Sequence, residues 1–199
     1  MVKKLFSLLN REWRGLHEAA ILIALFTFLS QIVALFRDRL LAHSFGASGT
    51  LDIYYAAFRI PDFVFAIVGS FMSALVIIPI LTKYAMESDE HAQKFLNGVF
   101  TFFFFVLLMV SAGLFFAIPW LTPFLFPSFE GQALNELVLV TRILLLSPIF
   151  FSLSNLLGSV TQMLHKFLAL SIAPVLYNLG IIAGALFFYP VFGLVGLAG

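Results

Sequence analysis

The chain of 199 residues contains no cysteine, which excludes disulfides and thiolate metal sites. Charge is almost as scarce: Asp, Glu, Lys and Arg make up 11% of the residues, against about 25% in a typical soluble domain. The few charges nearly cancel, 11 Lys and Arg against 10 Asp and Glu, so no bulk charge recruits nucleic acid. There is no glycine-rich loop with a lysine to cradle phosphate, no G-x-S-x-G and no H-E-x-x-H, and a catalytic reading has nothing to stand on. His17, His43, His91 and His165 are scattered at helix ends or loops, so neither a metal nor a cofactor is expected.

Apolar residues fill the space that charge leaves. They make up 62% of the chain and include 26 Phe, more apolar surface than a globule of this size can hide from water. The solvent is therefore lipid, and the phenylalanines read as lipid-facing or core filler. A bilayer-spanning helix takes about 20 residues plus a turn, so the chain has room for about six to eight spans at most.

Residues 1–16 carry Lys3, Lys4, Arg11 and Arg14 opposite Leu5, Leu8, Leu9, Trp13 and Leu16, the pattern of an interfacial amphipathic helix. The next run ends in Arg37-Asp38-Arg39 without a small-residue cleavage pattern, so it reads as an uncleaved first span rather than a signal peptide. The spans expected are 19–41, 52–84, 95–118, 133–164 and 167–189, with a sixth beginning at 191. Gly46 and Gly49 mark a tight turn after the first. The second run, roughly 33 residues or about 50 Å, exceeds a hydrocarbon core of about 30 Å and has to tilt, bend or break, with Pro61 the natural place. Pro119 and Trp120 mark the membrane interface after the third span, and an extramembrane excursion is expected between Leu121 and Gln132. Val191 to Gly199 is apolar and has neither cap nor charged anchor, so the chain reads as a fragment of a longer membrane protein. The fold class is thus all-α, a polytopic transmembrane helix bundle of five complete spans plus the start of a sixth.

Lys3, Lys4, Arg11, Arg14, Lys83, Lys94 and Lys166 collect on one side of this arrangement, which predicts a cytoplasmic amino terminus in a multi-pass protein. The charges placed where lipid would reject them are more informative, because an ionisable residue near the bilayer centre costs about 2.5–3.5 kcal/mol on insertion scales. Arg37, Asp38 and Arg39 close the first span, Asp52, Arg59 and Asp62 occupy the first half of the second, and Arg142 lies in the fourth. Asp52 and Arg59 are two turns apart on one face, with Asp62 next to Arg59. For Arg39, Asp62 and Arg142 spacing favours interfacial charge that snorkels to headgroups. For Arg37 and Asp52, near the same end of consecutive helices, a shared polar cavity is as good a reading. Gly180 and Gly184 form a G-x-x-x-G suited to close helix contact.

Two blocks of residues then carry a resemblance. Phe36-Arg37-Asp38-Arg39-Leu40-Leu41-Ala42, Phe45-Gly46-Ala47, Asp52 and Ala57-Phe58-Arg59-Ile60-Pro61 form the first. Leu146-Ser147-Pro148, Gly158, Phe167, Ala173 through Gly180, and Gly193, Gly196, Leu197 and Ala198 form the second. Together they resemble the MurJ/MviN family of lipid II flippases, within the multidrug/oligosaccharidyl-lipid/polysaccharide exporter superfamily. The resemblance implies a transporter, not an enzyme, in the bacterial cytoplasmic membrane. This chain would form part of the amino-terminal lobe of about fourteen helices in two lobes around a cavity. It also implies as partners a lipid-linked oligosaccharide precursor, membrane lipids and the remaining helices of the full-length protein, with Arg37 and Asp52 matching cavity residues. The sequence departs from that pattern at Ser30-Gln31, where the family commonly has Ser-Arg, and at Phe65-Ala66 and Ser70-Phe71, where it usually carries an arginine pair and Glu-Gly. Those departures keep open a related exporter of polysaccharide-linked lipid or drugs, and an inactive membrane remnant.

Overall fold

Inside a bilayer every backbone donor and acceptor has to be satisfied within the protein, so long apolar runs fold as helices. The computed structural model describes residues 16–46, 49–71 and 74–198, and no strand occurs among them. The amphipathic segment expected over residues 1–16 lies, apart from Leu16, outside the described residues. The helices are α1 (Leu16–Phe45), α2 (Gly49–Phe71), α3 (Ala74–Glu87), α4 (Asp89–Leu125), α5 (Gly131–Leu144), α6 (Ser147–Met163), α7 (Phe167–Ala183), α8 (Tyr189–Phe192) and α9 (Leu194–Ala198), with a π-helical turn at Gly184–Phe188 between α7 and α8. Five segments are long and apolar enough to cross a membrane: His17–Phe45, Gly49–Glu87, Asp89–Leu125, Gly131–Met163 and Phe167–Phe192. The second comprises α2 and α3, the fourth α5 and α6, and the fifth α7 through α8.

Prolines decide where these spans continue and where they break, and the outcome differs from the sequence expectation at several of them. α2 stays helical through Pro61, which is buried. The third span does not stop at Ile118 but runs to Leu125, leaving a connection of only 126–130. Pro119 has no N–H for the carbonyl of Phe115 one turn earlier. Arg142 of α5 supplies the missing donor, its Nε 3.0 Å from that oxygen, with its guanidinium carbon 4.6 Å from the centre of the Phe115 ring. Arg142 is thus a helix-to-helix tie rather than a snorkelling charge.

The fourth span breaks at Leu145-Leu146, just before Pro148. Ser147 Oγ donates to Leu144 O at 2.7 Å, the carbonyl that Pro148 leaves unpaired, and Ser111 Oγ of α4 donates to Leu145 O at 2.9 Å. In the fifth span Pro190 similarly lacks a donor, and the chain responds with a π turn in which Tyr189 N–H reaches back five residues to Gly184 O. Two glycines then make sharp turns that side chains resist: Gly46 (φ 61°) ends α1 with its N–H on Ala42 O, and Gly193 (φ 61°, ψ −144°) reverses the chain into α9.

α2 is the centre of the bundle. Val64 and Val68 pack against Ile77, Leu107, Ile149 and Leu156, while Ile53 and Ala57 pack against Leu137, Val140 and Leu144 of α5. Tyr54 joins Leu41, Ala185 and Leu197 in a third cluster. α1 lies chiefly along α7. Lipid supplies little hydrophobic force between helices, so polar bonds such as Arg142 to Phe115 and Ser111 to Leu145 hold neighbours in register.

Candidate functional site

α1, α2 and α7 enclose a cavity of about 250 Å³ lined by polar and aromatic side chains, among them Arg37, Tyr54, Tyr55, Arg59, Asp62 and Tyr177. Tyr54, Tyr55, Phe58, Arg59 and Asp62 recur at helical spacing, which brings them to one side of α2. Arg37 and Leu41, one turn apart on α1, and Tyr177 and Ile181, one turn apart on α7, complete the wall.

Arg37 is the best-anchored charge in the site, with its side chain 22% exposed. Its Nη1 donates to Asn178 Oδ1 on α7 at 2.5 Å, and its Nε and Nη2 donate to Asp38 Oδ1 at 2.9 and 2.8 Å. Asn178 is buried, and its amide nitrogen donates onward to Ser30 Oγ at 3.1 Å and Pro174 O at 3.0 Å. A guanidinium has five N–H donors, so the contacts to Asn178 and Asp38 leave two of them for a ligand.

The expected site residues do not all converge. Arg37, Arg59 and Asp62 line the same cavity, and exposed Asp38 serves as counter-ion to Arg37. Arg39 is exposed on α1 and is not among the cavity-lining residues. Asp52 does not share the Arg37 cavity. It lies in a separate depression of about 620 Å³ with Tyr55, Ala56, Arg59, Phe126 and Ser128, because seven residues along a helix carry it two turns away from Arg59 toward the α4–α5 connection. Arg59 is the residue common to both.

Asn178, Tyr54 and Tyr177 are site residues that spacing alone does not single out. An asparagine in a helix otherwise as apolar as α7 is itself a signal, since a buried amide in lipid requires partners. The G-x-x-x-G pair divides its roles: a side chain on Gly184 would meet the backbone of Gly196 and Leu197, whereas Gly180 borders an apolar pocket of about 490 Å³ that shares Tyr54, Phe58 and Tyr177 with the polar one. Where the resembled family carries its arginine pair, Phe65 instead packs against the Phe151 ring at 5.6 Å. Among the described residues no cluster of three or more His, Cys, Asp or Glu could hold a metal ion.

Membrane-spanning helices broken at prolines around a polar cavity define the chain as part of a multi-span membrane transporter. The family model for lipid II flippase MurJ matches residues 41–199, and the chain belongs to that family. It is 32% identical to the lipid II flippase MurJ of Burkholderia cenocepacia over 181 residues, covering 88% of this chain and 35% of that protein. It is also 32% identical to the lipid II flippase MurJ of Thermosipho africanus over 170 residues, covering 83% of this chain and 34% of that one. Its backbone superposes on a solved structure of lipid II flippase MurJ in an inward closed conformation with a TM-score of 0.72, at 28% identity, over 89% of this chain and 39% of that one. The chain therefore spans about a third of the length of the curated relatives it matches.

Proposed function

We propose that the full-length protein is a flippase for a lipid-linked peptidoglycan precursor, a transporter rather than an enzyme, and that this chain supplies one wall of its headgroup cavity. The observation that carries the reading is Arg37, fixed by Asn178 and Asp38 and facing a polar cavity with donors to spare. A diphosphate is the natural ligand for a guanidinium so held, because charge-assisted bonds are short and strong and attraction rises as water is excluded. Arg59 adds a second cation at the same wall, and the tyrosine hydroxyls offer partners for sugar. Asn178 ties α1 to α7, so a substrate that pulls on Arg37 pulls on two spans together, a coupling suited to alternating access.

The same reading puts the protein in the bacterial cytoplasmic membrane with its amino terminus inside. Lys83 and Lys94 flank the connection between the second and third spans, and Lys166 sits between the fourth and fifth, which supports one basic side. Expression of the full-length gene in cells depleted of their own lipid II flippase tests the proposal. Restored growth is expected, and failure to grow despite normal membrane levels overturns it.

A further inference from the structure

Between α2 and α4 runs an apolar groove of about 780 Å³, lined by Phe63, Ile67, Val110, Leu114 and Phe126 among others. Arg59 is the one charged side chain among the described residues that line it. Arg59 also lines the 250 Å³ polar cavity that contains Arg37. Helical geometry explains the double role. Asp62 lies about 60° around the helix from Arg59 on one side, and Phe63 and Ile67 lie about 40° and 80° around on the other. A cation thus stands at the junction of a polar compartment and an apolar one.

That junction has the polarity sequence of one class of molecule: sugar, then diphosphate, then a long hydrocarbon. The geometry points to the α2–α4 groove as the seat of the polyprenyl chain of the substrate, with its diphosphate at Arg59 and its sugars toward Arg37. The inference rests on the flippase reading and adds to it a path for the hydrocarbon. Three observations carry it. The groove meets the headgroup cavity at a shared residue, its charge complements a phosphate and no other part of the molecule, and Phe63 and Ile67 stand open at 66% and 49% exposure. A bilayer phospholipid would fill an apolar groove equally well, but would have no use for the polar cavity on the far side of Arg59.

The test uses purified full-length protein in lipid nanodiscs and two probes, a long-chain polyprenyl diphosphate sugar and the same sugar diphosphate on a chain of a few carbons. The long-chain probe is expected to bind more tightly, and Ile67→Trp, which fills the groove, to weaken it by roughly tenfold while leaving the short probe unchanged. Equal affinity of the two probes for the unaltered protein, or an Ile67→Trp protein that binds the long probe as before, overturns the groove assignment and leaves the flippase reading standing. Binding of neither probe overturns both. A photo-crosslinking residue in place of Phe63 gives a second readout that does not depend on Ile67→Trp folding well. It is expected to capture the long probe several-fold more than the same group in place of Met109 on the outer face of α4. Capture of another segment of the protein instead, or equal capture at the two positions, overturns the assignment.

Discussion

Arg37 and Asn178 stand 141 residues apart in the chain, yet the guanidinium donates directly to the amide oxygen at 2.5 Å. The same amide turns its nitrogen to Ser30 Oγ, so one side chain of α7 grips α1 at two points roughly two turns apart. Removing it leaves a part-buried cation short of an acceptor, which costs more than the bond itself contributes.

Asn178→Leu keeps the approximate volume and deletes every hydrogen bond. The expected loss is about 1.5–3 kcal/mol, the range for a bond to a charged group, read as a lowered melting temperature of the full-length protein in detergent. Asn178→Asp, which retains an acceptor for Arg37, is expected to melt closer to the unaltered protein. If the leucine variant melts unchanged, the contact does not hold α1 to α7.

The Arg142–Phe115 tie makes a sharper prediction because its cause is a proline. Arg142→Ala is expected to cost about 1–2 kcal/mol by stranding the Phe115 carbonyl. In a Pro119→Ala background the restored N–H at position 119 satisfies that carbonyl, and the same Arg142→Ala change should then cost much less. A double-mutant cycle measures the difference directly, and a coupling near zero would show that Arg142 contributes through its ring contact with Phe115 alone.

Gly196 and Gly184 look alike in sequence and differ in tolerance. A methyl group on Gly196 would collide with the carbonyl of Phe188, whereas one on Gly184 would sit at ordinary contact distance, 3.5 Å from Gly196 O. Gly196→Ala is expected to destabilise by about 1–3 kcal/mol and Gly184→Ala to be close to neutral, both read from melting temperatures. Equal effects at the two sites would mean that the π turn and α9 do not meet as described.

The spans themselves are plain in the sequence because hydrophobicity over some 20 residues is a local property. The ends of the spans are not. Pro119 reads as a stop, and it is not one, because the donor that rescues Phe115 comes from Arg142, whose pairing only the fold reveals. The same holds for the site. Charge placement draws the eye to Arg37 and Arg59, but Asp52 has the same local credentials and lies in a different depression, since helical phase brings residues to a face without saying what that face meets. Asn178 is the opposite case: an ordinary residue by composition whose burial between two helices gives it its importance.

The π turn at Gly184–Phe188 acts as a phase shifter. Relative to α-helical winding it takes up one surplus residue, so every side chain after it is displaced by about 100° around the axis. That displacement is what turns Tyr189 toward α1, where its ring meets Phe45 edge-on at 4.5 Å. The fifth span can therefore present one face to α1 along Pro174 and Asn178 and a differently phased face to the same neighbour a few turns later. A straight helix of this sequence would hold α1 at one end only.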